Sequence, residues 1–252
     1  AAVTAAYYTR DFGVDQRRDA ALTTTIIHAC AQRKQTRTAR ELYEKAVSHG
    51  LKPDVQVLAA LVDVHAKAGD GRGAVHFFEQ ALLLPDESER GHGVALASAL
   101  AAFERSSDVV VAFQLFRRHA HLHSHLKGTS AFMSLVKGAA SVGAPHLAEE
   151  ALEAATRCGD EPDRTMLYFV LLAHAKSANP HSAFDAYERH YARRRPSPSG
   201  VRALLAAARE AASIELALRA LKIYRSAGFP PHTNVYNQVL SAHLLQAKKE
   251  VH

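Results

Sequence analysis

Apolar residues recur along this chain in short bursts at helical spacing, separated by turns. TTIIHACA, ALVDVHAKAG, ASALAAFE, SLVKGAAS, FVLLAHAKS and RALLAAARE each read as one buried helical stripe. All but the first, which runs on through QRKQ, are followed by a turn containing Gly, Asn-Pro or Ser, and every one is followed by a second apolar segment built on an alanine. The anchoring alanines are Ala39, Ala74, Ala112, Ala148, Ala183 and Ala217, separated by 35, 38, 36, 35 and 34 residues. Four residues after each comes Tyr43, Phe78, Phe116, Leu152, Tyr187 or Leu221. A small and a large residue at i and i+4 share one helical face, so the first admits a neighbouring helix and the second fills the groove.

Recurrence at a near-constant period marks a repeat array. The pattern predicts an all-α, right-handed α-solenoid of about six helix–turn–helix repeats of about 35 residues. They span 20–54, 55–89, 93–127, 129–163, 164–197 and 198–232. Residues 1–19 read as the remnant of a preceding, more degenerate repeat, and 233–252 as the first helix of a truncated seventh.

Composition narrows the function classes. The chain has 252 residues, 48% hydrophobic and 22% charged, which suits a folded protein with a sizeable core. Lys and Arg number 31 against 25 Asp and Glu, and 16 histidines add a reservoir of positive charge. A net charge of +6 favours an anionic partner, with nucleic acid first. No apolar run is long enough to span a membrane. Cys30 and Cys158 belong to no CxxC pair and read as reduced, semi-buried thiols. Gly69, Gly71 and Gly73 fall in a helix–helix connection with no strand before it, so GDGRG is not a phosphate loop.

Three repeats close with GLKPD, GDEPD or GFPPH, and VYNQVL follows the last of these. With a length centred on 35 residues and no Trp, the chain resembles the pentatricopeptide repeat family over residues 20–247. A tetratricopeptide-like array or another α-solenoid is the alternative. The resemblance implies single-stranded RNA binding in an organelle, with one base read per repeat by the fifth and last residues. On this sequence the first repeat offers Thr24 and Asp54, and Asn237 holds the fifth place of the seventh. The remaining pairs depart from the pattern: Ala59 with Glu89, Ala97 with Lys127, Met133 with Asp163, Arg202 with His232, and, in the shortened fifth repeat, Tyr168 with Ser197. Ala and Met cannot make the directional hydrogen bonds that discriminate base edges, so a complete modular code is not expected.

Charge supplies the other RNA candidates. Lys67, Arg105 and Lys176 each stand thirteen places into a repeat, where a regular stack would align them along the groove toward phosphates. They equally suit solvated helix ends that complement the C-terminal dipole. Arg193, Arg194 and Arg195 in RRRPSPSG form a second cationic site, held extended by the prolines. Lys127 adds positive potential where a base-reading Asp would stand. It closes RRHAHLHSHLKG, residues 117–128, in which at most two of the four histidines share a face, so no metal site is expected.

There is no HExxH, GxSxG or Walker loop, and neither an enzyme nor a cofactor is expected. The expected function is that of a non-enzymatic RNA-binding, structural subunit of an organellar ribonucleoprotein, such as a mitochondrial ribosome or an RNA-processing complex. Its expected partners are single-stranded or ribosomal RNA and neighbouring protein subunits, with no membrane and no small-molecule substrate. A mitochondrial location follows from the family resemblance alone. The alternative is a protein–protein scaffold holding a partner helix or peptide in its concave groove.

Overall fold

The Asp-rich ends of the repeats start helices. Asp54 accepts a hydrogen bond from the Val57 amide at 2.8 Å, and Asp163 accepts one from the Met166 amide at 2.7 Å. Each thereby satisfies a donor that the first turn of the following helix leaves without an intrahelical partner. Ser197 does the same for the Gly200 amide at 3.0 Å. Glycine ends helices where the backbone must turn left-handed: Gly69 follows the helix 55–68 with φ of 78°.

The computed structural model describes residues 15–85, 89–104, 108–128, 130–191, 196–230 and 232–250. Two compact units divide between Ser134 and Leu135. The first contains α1 (Gln16–Gln32), α2 (Thr36–Ser48), α3 (Val55–Ala68), α4 (Gly71–Leu82), α5 (Arg90–Ala101), α6 (Val109–Arg118) and the 3-10 helix η1 (Ala120–Leu126). The division falls within α7 (Ala131–Val142). The second unit contains α8 (Pro145–Arg157), α9 (Arg164–Ala175), α10 (Ser182–Tyr191), α11 (Pro198–Ala211), α12 (Ile214–Ser226) and α13 (Thr233–Glu250). No strand is present among the described residues.

Within each unit the first helices of successive repeats pack on one another, α1 on α3 on α5 and α9 on α11 on α13. Their second helices pack against them, as α2 does on α1 and α12 on α11. The six anchoring alanines are all at most 3% exposed, because a methyl group is all the space between neighbouring helices allows. Phe78 and Phe116 are fully buried beside them, while Tyr43 stays half-buried. Helix α1 begins at Gln16, ahead of Ala20, so residues 16–19 are continuous with the first helix of the first repeat.

The histidine-rich stretch departs from a simple helix tail. Helix α6 stops at Arg118, and η1 tucks Leu122 and Leu126 fully into the core. The His123 ring stacks on Phe116 with centroids 3.8 Å apart and planes 10° off parallel, and its Nε2 lies 2.8 Å from the Phe116 carbonyl oxygen. His119 meets Phe78 edge-on at 5.1 Å and is itself buried. These two rings pack; they do not form a ligating face. Among the described residues no three His, Cys, Asp or Glu side chains converge as metal ligands would. Nor, among them, is any helix long and apolar enough to cross a membrane.

A carboxylate ties repeats together in the second unit. Glu149 of α8 lies 3.1 Å from His174 Nε2 of α9, 2.9 Å from His190 Nε2 of α10 and 3.3 Å from the Arg189 guanidinium. Burial raises the carboxyl's pKa, but the hydrogen bonds from His174 and His190 and the charges of His190 and Arg189 outweigh it. The net pKa is lowered to about 2.

Candidate nucleic-acid interface

A groove follows α1, α3 and α5 in the first unit. One end is lined by Thr24, His28, Asp54, Gln56, Ala59, Asp63, Arg90, Val94 and Ser98. Past Asp63, Val94 and Ser98 it runs on to Lys34, Lys67, Ala97 and Glu104. Counted from the start of each repeat, the helix positions facing it include the fifth (Thr24, Ala59), the sixth (Ala60, Ser98) and the ninth (His28, Asp63). The ninth place stands one helical turn from the fifth and the sixth, on the same side of the helix.

Thr24 and Asp54 are therefore brought to one cleft. The neighbouring Thr23 and Thr25 donate their hydroxyls to Asp19 O and Ala21 O, both at 2.8 Å, whereas Thr24 faces the groove. Asp54 has a structural duty there as well, since Oδ1 is taken by the helix cap. The same holds for Asp163, and His232 Nδ1 accepts from the Asn234 amide at 3.2 Å at the start of α13. An Asp closing a repeat is thus explained by helix capping before any base is considered.

The cations divide. Lys67 lines the groove but donates to Asp63 Oδ2 at 2.7 Å, and Asp63 also lies 3.8 Å from His28 Nδ1. The first unit's groove consequently carries compensated charge. Lys176 is exposed at the C-terminus of α9, where it complements the helix dipole. Lys127 is exposed after η1, and Asn237 is exposed on α13. Arg105, Arg193, Arg194 and Arg195 lie outside the described residues.

The second unit presents different chemistry at the same register. Its fifth places hold Tyr168, Arg202 and Asn237, its sixth includes Phe169, and its first ninth place is Lys137. The Tyr168 and Phe169 rings meet at 5.1 Å and 63°, and Lys137 Nζ lies 5.8 Å from the Phe169 centroid. Arg202 is exposed, and its guanidinium is 3.4 Å from Ser199 Oγ. No acidic residue occupies a fifth, sixth or ninth place in this unit, in contrast to Asp63 in the first. Half-buried aromatic rings beside cations form a surface on which bases can stack while phosphates are neutralised. Sequence reasoning missed Lys137 and Phe169 because both sit inside apolar bursts that read as core. The available signal was two adjacent aromatics at the fifth and sixth places.

No protein-family model matches the sequence, and none of the curated proteins matches it. Among solved structures the chain is similar to that of the pentatricopeptide repeat protein PPR10 in complex with an 18-nt psaJ RNA element. The TM-score is 0.63 and the identity 18%, over 99% of this chain. It is also similar to PPR10 from maize, with a TM-score of 0.36 and 17% identity over 88% of this chain and 41% of that one. The chain spans 37% of the length of the first of these. That first likeness is one of fold: the chain is an all-α helical repeat protein whose fold is similar to that of this pentatricopeptide repeat protein.

Proposed function

We propose that the chain is a non-enzymatic RNA-binding, structural subunit of an organellar ribonucleoprotein, a mitochondrial ribosome or an RNA-processing complex. It grips RNA through phosphates, stacking and shape, without a complete base code. The observation that carries this reading is that the fifth, sixth and ninth places of the second unit hold no acid, with Lys137 over Phe169 beside Tyr168 and Arg202 one repeat on. Support comes also from the net charge of +6 and from the fold shared with a protein crystallised on an 18-nt RNA.

The experiment is retention of the purified chain by polyuridine, polyadenosine and mixed-sequence RNA at physiological salt, followed by a salt titration. Phosphate contacts by Lys137, Lys176 and Arg202 predict a log–log slope near −2, at roughly 0.7 per contact for single strands. Similar affinity for all three RNAs is expected. No retention, or binding flat in salt, would overturn the reading. A scaffold holding a peptide is the second reading, favoured by the compensated Asp63–Lys67 pair in the first unit's groove. A protein partner that persists after nuclease treatment, with no RNA retention, would establish it.

A further inference from the structure

The segment that ends the third repeat divides its side chains between core and solvent. His119, Leu122 and Leu126 are buried and His123 stacks on Phe116, while Arg117, Arg118, His121, Ser124 and Lys127 are exposed. Four of the exposed residues, Arg118, His121, Ser124 and Lys127, recur every third place. A 3-10 helix has three residues per turn and rises about 2.0 Å per residue, so His121, Ser124 and Lys127 share one side of η1 at steps of about 6 Å. Arg118, on the last turn of α6, stands one step ahead of them. None of the four lines the groove along α1, α3 and α5. Lys127 closes the third repeat, at the place where Asp54 closes the first and does line it.

We propose that the column Arg118, His121, Ser124 and Lys127 binds the phosphates of an RNA strand outside the groove, at the edge of the first unit. The inference rests on the RNA-binding reading and adds a second contact surface to it. Three observations select a phosphate backbone. Each of the four side chains can donate a hydrogen bond to a phosphate oxygen, and none is a carboxylate. Both leucines of η1 are sealed in the core, so the column offers a protein helix or a lipid surface no apolar anchor. Its charge is also weakly compensated. Among the described residues, Arg118, His121 and Lys127 form one ion pair, that of Arg118 with Glu79 at 3.9 Å, whereas Lys67 in the groove is held by Asp63 at 2.7 Å. Donors at this spacing can follow a single-strand backbone from one phosphate to the next.

The test measures the fluorescence anisotropy of labelled polyuridine with the full chain at several salt concentrations. Arg118→Gln with Lys127→Gln should weaken binding about tenfold and flatten the log–log salt slope by about 1.4, at roughly 0.7 per phosphate contact. That share comes on top of the slope expected of the second unit. Arg72→Gln with Lys222→Gln removes the same net charge from exposed sites elsewhere and should change affinity about twofold or less, because distant charges are screened. Glu79→Gln, which releases Arg118, should strengthen binding about twofold. All the substituted side chains are exposed, and circular dichroism checks that the variants fold. Equal loss in the two double variants, or none in the first, overturns the column and leaves the RNA-binding reading in place. Loss of polyglutamate binding in the column variant, with polyuridine binding unchanged, overturns it in favour of an acidic protein partner. No polyuridine binding by the wild-type chain overturns it together with the RNA-binding reading.

Discussion

His174 Nε2 and Glu149 Oε1 lie 3.1 Å apart, tying the first helix of one repeat to the second helix of the repeat before it. Its Nδ1 is 2.8 Å from Ser182 Oγ, at the start of its own second helix. His65 stands at the same register and likewise reaches its own second helix, with Nδ1 2.7 Å from Asp70 Oδ2. The place equivalent to Glu149 is Arg40, whose guanidinium lies over Phe77 and cannot accept from a histidine. Among the described residues, His65 Nε2 is accordingly buried without a hydrogen-bond partner. Two histidines that look alike in sequence differ because the preceding repeat differs.

The Glu149 network predicts an acid-sensitive contribution to stability. The folded-state pKa is depressed to about 2, so the contribution is complete above the unfolded carboxylate range and lost as pH falls through about 2. It amounts to about 3 kcal/mol. Glu149→Gln should lower the melting temperature by several degrees at pH 7 and pH 5, and the gap from wild type should close as pH approaches 2. A gap constant across that range would show that the carboxylate's charge is irrelevant.

Asp54→Ala should cost about 1 kcal/mol through loss of the cap, and Asp54→Ser should restore most of it. For a chain of this size that is a shift of about 2–4 °C in thermal melting. If Asp54 also touches a base, Asp54→Asn will keep the stability and alter RNA preference, which separates the two duties in one series.

In the second unit, Lys137→Ala should flatten the salt dependence of RNA binding by about 0.7. Phe169→Leu, which keeps most of the buried volume, should cost about 1–3 kcal/mol in RNA affinity if a base stacks there. Filter binding at two salt concentrations measures both. Equal affinity in Lys137→Ala, Phe169→Leu and wild type would remove this face from the interface.

His123→Ala and His121→Ala should differ in stability. The first deletes a ring stacked on Phe116 and should cost about 1 kcal/mol, while the second removes an exposed side chain and should fall within about 0.5 kcal/mol of wild type. Chemical denaturation of the two variants checks this.

Gly73→Ala should be destabilising by about 1–3 kcal/mol. A methyl group there would collide with the His65 ring and the Asp70 carboxylate, which approach the backbone closely. Denaturation midpoints of Gly73→Ala, alone and combined with His65→Ala, test whether the clash is relieved when the ring is gone.

The helical repeat was legible in the sequence because its signal is one of sterics. Ala39, Ala74, Ala112, Ala148, Ala183 and Ala217 recur where only a methyl group fits, and a large side chain follows four places on. Register, too, was available without coordinates, since the anchor stands at the twentieth place of all six repeats. The Asp54 and Asp163 caps and the Lys67–Asp63 pair reach only three or four residues along the chain, so the sequence already held both partners. Tertiary structure alone decided the contacts between repeats: His119 packs on Phe78 of the preceding repeat, and His174 reaches Glu149 of the repeat before it. Such contacts form over a few ångströms of space rather than a few residues of chain. Periodicity records which face is buried; only the packed neighbours determine what that face touches.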